Sequence, residues 1–263
     1  MEEYYRIVAY ILAGILGVCV GSFLNVVIYR LPRGMRLDKP GSHCTRCDYS
    51  LRWYDNIPVI SYLMLGGKCR KCKEPISPRY TLVEISNMLL WLLSVYMFWD
   101  DGIFFTVLVA LCSSVLISVF FIDLENMIVP DSHVLILLLL GIGTVFTDPD
   151  YPWYSHLIGA AAGFAFFYGI FALFYYLLKK DALGGGDIKL ALAMGLFLGW
   201  ERLLLSLVIA SVSGAVTLSA LSLIRKAERD KEYPFAPFLA VGFALAMFFG
   251  ADIIDFYLAL MGL

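Results

Sequence analysis

Charged side chains are scarce in this chain of 263 residues: Asp, Glu, Lys and Arg together make up only 16% of it. An ordinary soluble domain carries about 25%. Hydrophobic residues make up 60%, the mean hydropathy is +0.79, and the apolar residues come in long blocks rather than at amphipathic spacing. These features exclude a soluble globular domain and predict an all-α polytopic membrane protein, because a helix satisfies its own backbone hydrogen bonds within hydrocarbon.

A cleavable signal-peptide pattern is also missing. Residues 1–6 (MEEYYR) are acidic on balance, and no small-residue cleavage site follows the apolar run 7–28. We therefore expect this first run to remain in the protein as a membrane helix.

Eight apolar segments predict about eight transmembrane helices. They cover residues 7–29, 82–99, 103–122, 133–147, 157–178, 188–200, 203–224 and 236–260. The polar stretch between the first two segments contains four cysteines and is too long for a simple connector. The predicted domains are a first transmembrane helix (1–29), a small zinc-binding domain inserted after it (30–81), and a seven-helix membrane domain (82–263).

The basic residues predict the orientation, because cytoplasmic loops of membrane proteins are enriched in Lys and Arg. With eight crossings, eighteen of the 20 Lys and Arg residues fall on one side. They lie in the stretch 30–80, beside the glycine triplet (Lys179, Lys180, Lys189) and in the stretch 225–231. Only Arg6 and Arg202 fall on the other side. We expect the zinc-binding domain in the cytoplasm and both termini outside.

Two apolar segments are short for a membrane. Segment six has 13 residues and would rise roughly 20 Å, against a hydrocarbon core of about 30 Å; segment four is similar. We expect the loops at 123–131 and 184–187 to dip below the membrane surface and to line a water-filled cavity, because irregular backbone is tolerated there.

The four cysteines of the polar stretch form two Cys-x-x-Cys pairs, Cys44 with Cys47 and Cys69 with Cys72, separated by 21 residues. This spacing is typical of a zinc ion held by four thiolates, and such a site is structural because no coordination position stays open. A domain of about 50 residues has little core, so the metal would supply much of its folding energy. Disulfides would need an oxidising compartment, and a redox Cys-x-x-Cys usually occurs singly.

Two aspartates lie where an apolar segment ends or begins. Asp123 follows segment three, at a helix C-terminus where a negative charge opposes the helix dipole. Asp187 precedes segment six, where it is either a helix N-cap or a functional carboxylate. For Asp131, before segment four, the N-cap interpretation is favoured. If Asp123 and Asp187 meet, they would share a proton and activate a water, as paired protease aspartates do.

The glycines at positions 184, 185 and 186 (Gly184, Gly185, Gly186) would let the backbone approach a peptide substrate and adopt a positive φ where needed. Lys189 could pair with a carboxylate, but the sequence favours a cytoplasmic anchor for it. The basic 30–80 domain would lie against anionic lipid. Its acidic residues, and Glu84 beside it, are the candidates for contacting a basic peptide.

Five motifs in a fixed order resemble those of the bacterial prepilin peptidases, the type IV leader peptidases of pilus assembly and type II secretion. They are residues 21–32 (GSFLNVVIYRLP), 53–58 (WYDNIP), 76–80 (ISPRY), 123–131 (DLENMIVPD) and 184–189 (GGGDIK), with the two cysteine pairs around the second. The resemblance covers nearly the whole chain. One position departs from it: residues 234–238 read PFAPF, where the family often has PFGPF.

The resemblance implies an aspartic endopeptidase of the bacterial inner membrane with Asp123 and Asp187 as its catalytic pair. Its substrates would be prepilins or pseudopilins, cut after the glycine of a short basic leader on the cytoplasmic face. Many members then N-methylate the new N-terminus with S-adenosylmethionine, and the cysteine-containing domain is associated with these bifunctional members. No nucleic acid is expected among the partners.

Three other interpretations were open to the sequence. A presenilin-like intramembrane protease would carry a Tyr-Asp motif and a Pro-Ala-Leu triplet, but Ile122 precedes Asp123 and no such triplet occurs. An ion- or proton-coupled transporter should show internal symmetry between its halves, and none is visible. A methyltransferase alone would need a donor site, yet no glycine-rich strand–loop–helix unit is present.

Overall fold

The computed structural model describes residues 2–179, 184–224 and 233–262. Among them, nine α-helices account for the regular structure, with no strand beyond two isolated bridges. The helices are α1 (Glu2–Arg30), α2 (Ile60–Met64), α3 (Arg79–Phe98), α4 (Ile103–Asn126), α5 (Asp131–Thr147), α6 (Trp153–Leu178), α7 (Gly185–Leu198), α8 (Trp200–Ile224) and α9 (Ala236–Met261). The predicted all-α membrane fold is confirmed.

Eight of these helices correspond to the eight apolar segments, and the short α2 lies in the cysteine-containing stretch. Six of them are long and apolar enough to cross a membrane: α1, α3, α4, α6, α8 and α9. The other two, α5 and α7, have 17 and 14 residues, as the short segments four and six predicted. Lys180 and the basic residues predicted at 225–231 lie outside the described residues.

The chain forms two compact units, Met1–Trp99 and Asp100–Leu263. In the first unit, α1 packs along α3, and the cysteine-containing stretch lies between them in sequence. The contact is close because α1 carries small residues: a Cβ on Gly21 would lie 2.8 Å from the Cα of Glu84. The buried Asn87 side chain adds a 2.7 Å hydrogen bond to the carbonyl oxygen of Gly17.

In the second unit, small residues again allow helix backbones to touch, as is typical where lipid competes for apolar surface. Helices α6 and α7 make such a contact: a Cβ on Gly163 would lie 2.5 Å from the carbonyl oxygen of Ala191. Helices α4, α5 and α9 pack against the same bundle. As a result α4 ends, and α5, α7 and α9 begin, at one end of this unit.

Candidate active site and metal centre

Asp123 lies in the last turn of α4, as predicted, and is only 5% exposed. The helix stops because Met127 adopts the left-handed conformation (φ 54°) and donates its N–H to the carbonyl oxygen of Asp123. The Asp123 carboxylate accepts a hydrogen bond of 3.1 Å from the backbone N–H of Ala236, at the start of α9. Ala236 itself is fully buried. The position that departs from the family motif therefore still brings its backbone to Asp123.

Asp187 is the third residue of α7, and the N-cap interpretation of it is wrong. Gly184 occupies the cap, and its carbonyl oxygen accepts the N–H of Asp187 at 3.0 Å. The same correction applies to Asp131, because Pro130 caps α5. Both carboxylates stand in a first helical turn, where a negative charge is favourable.

Asp123 and Asp187 lie at this same end of the second unit, the first in the last turn of α4 and the second in the first turn of α7, and their negative charges interact unfavourably there. Two contacts hold the loop after α4 against the start of α7. A Cβ on Gly186 would lie 2.9 Å from the Cβ of Val129. The Lys189 ammonium donates a 2.7 Å hydrogen bond to the carboxylate of Asp131.

The three glycines at positions 184–186 are not needed for a left-handed backbone conformation. None of Gly184, Gly185 and Gly186 has a positive φ. Only Gly186 is in tight contact with another residue, whereas a Cβ on Gly185 would meet nothing within 4 Å. The close-approach prediction therefore holds at one glycine, and the neighbour is Val129 of this same chain.

Lys189 pairs with Asp131, which is one of the two roles that the sequence left open for it. Charge alone does not reveal this pair, because 58 residues separate the two side chains. Both are more than half exposed, so the pair is worth at most about 1 kcal/mol.

The four cysteines predicted as metal ligands lie together in the first unit. The sulfur atoms of Cys44, Cys47, Cys69 and Cys72 are all within 4.8 Å of one another. Each pair sits in the same kind of turn. The carbonyl oxygen of Cys44 accepts a hydrogen bond from the N–H of Asp48, and the N–H of Cys44 donates one to the carbonyl oxygen of Tyr49. Residues 69–74 repeat this pattern.

The thiols are suited to a divalent cation. Hydrogen bonding with the backbone of Cys72 lowers the pKa of the Cys69 thiol to about 6, so this sulfur is a thiolate near neutral pH. For Cys72, a hydrogen bond with the backbone of Glu74 lowers the pKa of the thiol. Burial and the neighbouring thiols outweigh this effect and raise the pKa to about 12. A zinc ion would replace the shared protons and hold all four sulfurs as thiolates.

Asp55 connects the two cysteine turns. Its side chain is fully buried and accepts a 2.6 Å hydrogen bond from Arg70, in the second turn, and one from the hydroxyl of Tyr49, in the first. Although burial opposes ionisation, these bonds lower the pKa of Asp55. The sequence motif WYDNIP thus supplies a buried carboxylate that joins the two halves of the metal centre.

A buried ionic cluster at the opposite end of the second unit was not predicted. Arg202, at the start of α8, pairs with Asp148 and Asp150 of the loop between α5 and α6, and His156 lies 3.7 Å from Asp148. One signal of this cluster was present in the sequence, since Arg202 is an isolated cation next to an apolar segment.

The two units correspond to two known families. Residues 15–98 match the model of the bacterial peptidase A24 N-terminal domain, and residues 110–219 match that of the type IV leader peptidase family. The chain therefore belongs to the type IV leader peptidase family, which confirms the family expected from the motifs.

Among curated proteins, the chain is similar to several that are named prepilin leader peptidase/N-methyltransferase. The protein of Stutzerimonas stutzeri is 36% identical over 93% of this chain and 92% of its own length. The protein of Pseudomonas aeruginosa is 34% identical over 94% of this chain and 93% of its own length. The protein of Pseudomonas putida is 34% identical over 100% of this chain and 97% of its own length. No solved structure matches the chain.

Proposed function

We propose that this chain is an aspartic endopeptidase that removes the leader of type IV prepilins or pseudopilins after glycine, and that it then N-methylates the new N-terminus. Full-length relatives at about a third identity carry both activities in their names. Membership of this family favours the proposal over the presenilin-like and transporter interpretations. It also accounts for both units of the chain.

The observation that carries the proposal is that Asp123 and Asp187 lie at the same end of the second unit, with charges near enough to interact. Two neighbouring carboxylates titrate as a pair and share one proton at neutral pH, because ionising both is unfavourable. The ionised member takes a proton from water, which attacks the scissile carbonyl carbon. The protonated member donates to the carbonyl oxygen and then to the leaving amine.

The residues around the two aspartates position the carboxylates and take no part in proton transfer. The Ala236 N–H fixes one oxygen of Asp123 and orients that carboxylate. Gly186, packed against Val129, holds Asp187 beside it. Gly184 caps α7, and Lys189 supports the same region through its pair with Asp131.

The proposed location is the bacterial inner membrane, with the active site towards the cytoplasm and both termini outside. The distribution of Lys and Arg supports this orientation. A basic cytoplasmic domain would also contact anionic lipids. As before, we expect no nucleic acid among the partners.

The proposed function includes a metal ion and a methyl donor. Cys44, Cys47, Cys69 and Cys72 hold a structural zinc ion, which folds the first unit and takes no part in cleavage. S-adenosylmethionine supplies the methyl group for the second activity.

The test compares wild type with Asp123→Asn and Asp187→Asn on a purified prepilin. Asparagine at position 123 keeps an oxygen for the Ala236 N–H, so the fold should survive. Each variant should lose about 10²- to 10⁴-fold in cleavage rate or more, which is the usual range for a general acid or base. Cleavage at the wild-type rate by either variant would refute the aspartic mechanism.

A further inference from the structure

The first unit contains a cavity of about 410 Å³ whose walls include neither Asp123 nor Asp187. Its walls come from the end of α1, the cysteine-containing stretch and the start of α3. Clefts that hold small-molecule ligands measure about 300–1,000 Å³. The volume therefore suits a nucleoside-sized molecule.

Glu84, one turn into α3, is the distinctive group of this cavity. It is 8% exposed, and no Lys or Arg of the described residues pairs with it. One of its oxygens accepts a 2.7 Å hydrogen bond from the backbone N–H of Val59. A buried carboxylate without a cation is costly, and a positively charged ligand would remove that cost.

The other charged groups of the walls are already engaged. The guanidinium of Arg30 donates to carbonyl oxygens of the loop 36–41. Asp55 pairs with Arg70, and Glu74 lies 3.9 Å from Arg46. Among the acidic groups of the walls, the Glu84 carboxylate is therefore the one for which the described residues provide no partner of opposite charge.

Two further features indicate a built site. The side-chain oxygen of Asn25 is buried without a hydrogen-bond partner in the described part of the chain, while its amide nitrogen donates to the carbonyl of Tyr80. Buried acceptors of this kind are normally satisfied. Val59 has φ 62°, which is strained for a β-branched residue, and this conformation directs its N–H to Glu84.

We infer that this cavity is the methyl-donor site, with Glu84 binding the ammonium group of S-adenosylmethionine and Asn25 accepting a hydrogen bond from it. The inference rests on the proposed N-methyltransferase activity. In the transfer, the neutral N-terminal amine of the cut pilin forms a bond to the methyl carbon, and the carbon–sulfur bond breaks with its electron pair left on sulfur. The products are S-adenosylhomocysteine and a methylated amine that releases one proton to water.

S-adenosylmethionine fits this cavity better than a basic leader peptide, which is the other positively charged candidate. It carries a net positive charge in a compact body, whereas a leader is a chain that needs an extended groove. The ring of Tyr62 also lines the cavity, and aromatic side chains stack on bases of any sequence.

The test measures binding rather than turnover. Full-length protein in detergent is titrated with S-adenosylmethionine and with S-adenosylhomocysteine, and the dissociation constants are measured by calorimetry. Glu84→Gln removes only the charge and should weaken both ligands by about tenfold to a hundredfold. Val26→Phe, which fills the cavity from α1 without changing charge, should abolish binding.

Asp38→Asn is the matched control, because it also removes one negative charge from the first unit but lies exposed against Arg36. It should bind both ligands as wild type does. Zinc content and the circular dichroism spectrum check that each variant is folded.

The outcomes separate the two claims. If wild type cleaves prepilin but binds neither ligand, the proposed methyl transfer fails, and this site fails with it. If wild type binds and methylates while Glu84→Gln and Val26→Phe bind with unchanged affinity, the site assignment alone is wrong. A Glu84→Gln variant with normal donor affinity but a raised KM for prepilin would assign the cavity to the leader instead.

Discussion

Gly186 and Val129 touch so closely that no side chain fits between them, since a Cβ on Gly186 would lie 2.9 Å from the Cβ of Val129. Gly186 directly precedes Asp187, and Val129 lies on the loop that follows the helix of Asp123. This contact therefore holds the start of α7, which carries Asp187, against the loop that follows Asp123. Glycine is required here for space and not for an unusual φ.

Replacing Gly186 by alanine should slow cleavage. The added methyl group has to push the start of α7 away from the loop after α4, which moves Asp187 relative to Asp123. A displacement of about 1 Å between reacting groups can cost 10²-fold, so we expect kcat for prepilin to fall by about tenfold to a hundredfold. A steady-state assay with purified enzyme measures this.

Gly185→Ala is the matched control, because the same methyl group enters open space one residue earlier. Alanine also favours the helix more than glycine does. This variant should cleave as wild type does. Equal loss in the two variants would mean that helix propensity or loop freedom matters here, and not the contact with Val129.

The pair of Lys189 with Asp131 gives a second prediction, which separates loop support from substrate contact. If Lys189 only supports the loop, Lys189→Met and Asp131→Asn should each reduce cleavage by at most about fivefold, because an exposed pair is worth up to about 1 kcal/mol. The double variant should be no worse than either single one. A much larger loss for Lys189→Met than for Asp131→Asn would indicate that Lys189 contacts substrate.

The helices could be predicted from the sequence because apolar runs long enough to span a membrane have few other folds available. Their ends were less certain. Segment three was expected to end at position 122, but α4 continues to Asn126. Residues 123–126 (DLEN), three of them polar, extend the helix until Met127 adopts the left-handed conformation. The apolar pattern contains no signal for this turn.

The site could be predicted in part. Asp123 and Asp187 were identifiable because a carboxylate beside an apolar segment is rare. Ala236 and Val129 were not, since each acts through one backbone or side-chain contact that only packing creates. Glu84 was noted as a possible peptide contact, but its cavity depends on how α1, α3 and the cysteine turns fold together.

A third prediction concerns the metal centre. Purified wild-type protein should contain one zinc ion per chain, and Cys44→Ser and Cys69→Ser should each lose it, because serine does not replace a thiolate ligand. Loss of the metal should expose residues 30–80 to limited proteolysis. Metal analysis and mass spectrometry of the fragments measure both effects.

Cys19→Ser serves as the control, since Cys19 lies in α1 outside the four-thiol cluster. It should retain zinc and the wild-type digestion pattern. Full zinc content in Cys44→Ser or Cys69→Ser would contradict the four-thiolate assignment.

The fourth prediction concerns the ionic cluster far from the carboxylate pair. The side chains of Arg202 and Asp148 are 4% and 1% exposed. Arg202→Met would leave Asp148 buried without its main counter-ion, which typically lowers the free energy of unfolding by about 3–5 kcal/mol. Thermal unfolding in detergent should show a clear loss of stability. Asp150→Asn, which changes a half-exposed partner, should cost less.

The effect of Arg202→Met should also depend on pH. In wild type, burial raises the pKa of Asp148 while Arg202 opposes the rise, and the neighbouring His156 and Asp150 act in opposite senses. Removing Arg202 raises that pKa further, so folding of the variant favours the protonated acid. The acid is protonated at low pH, and stability is lost as pH rises through the folded-state pKa. The stability gap between wild type and variant should therefore be widest at neutral pH and should narrow on acidification, and a gap that widened instead would show that Arg202 does not act through Asp148.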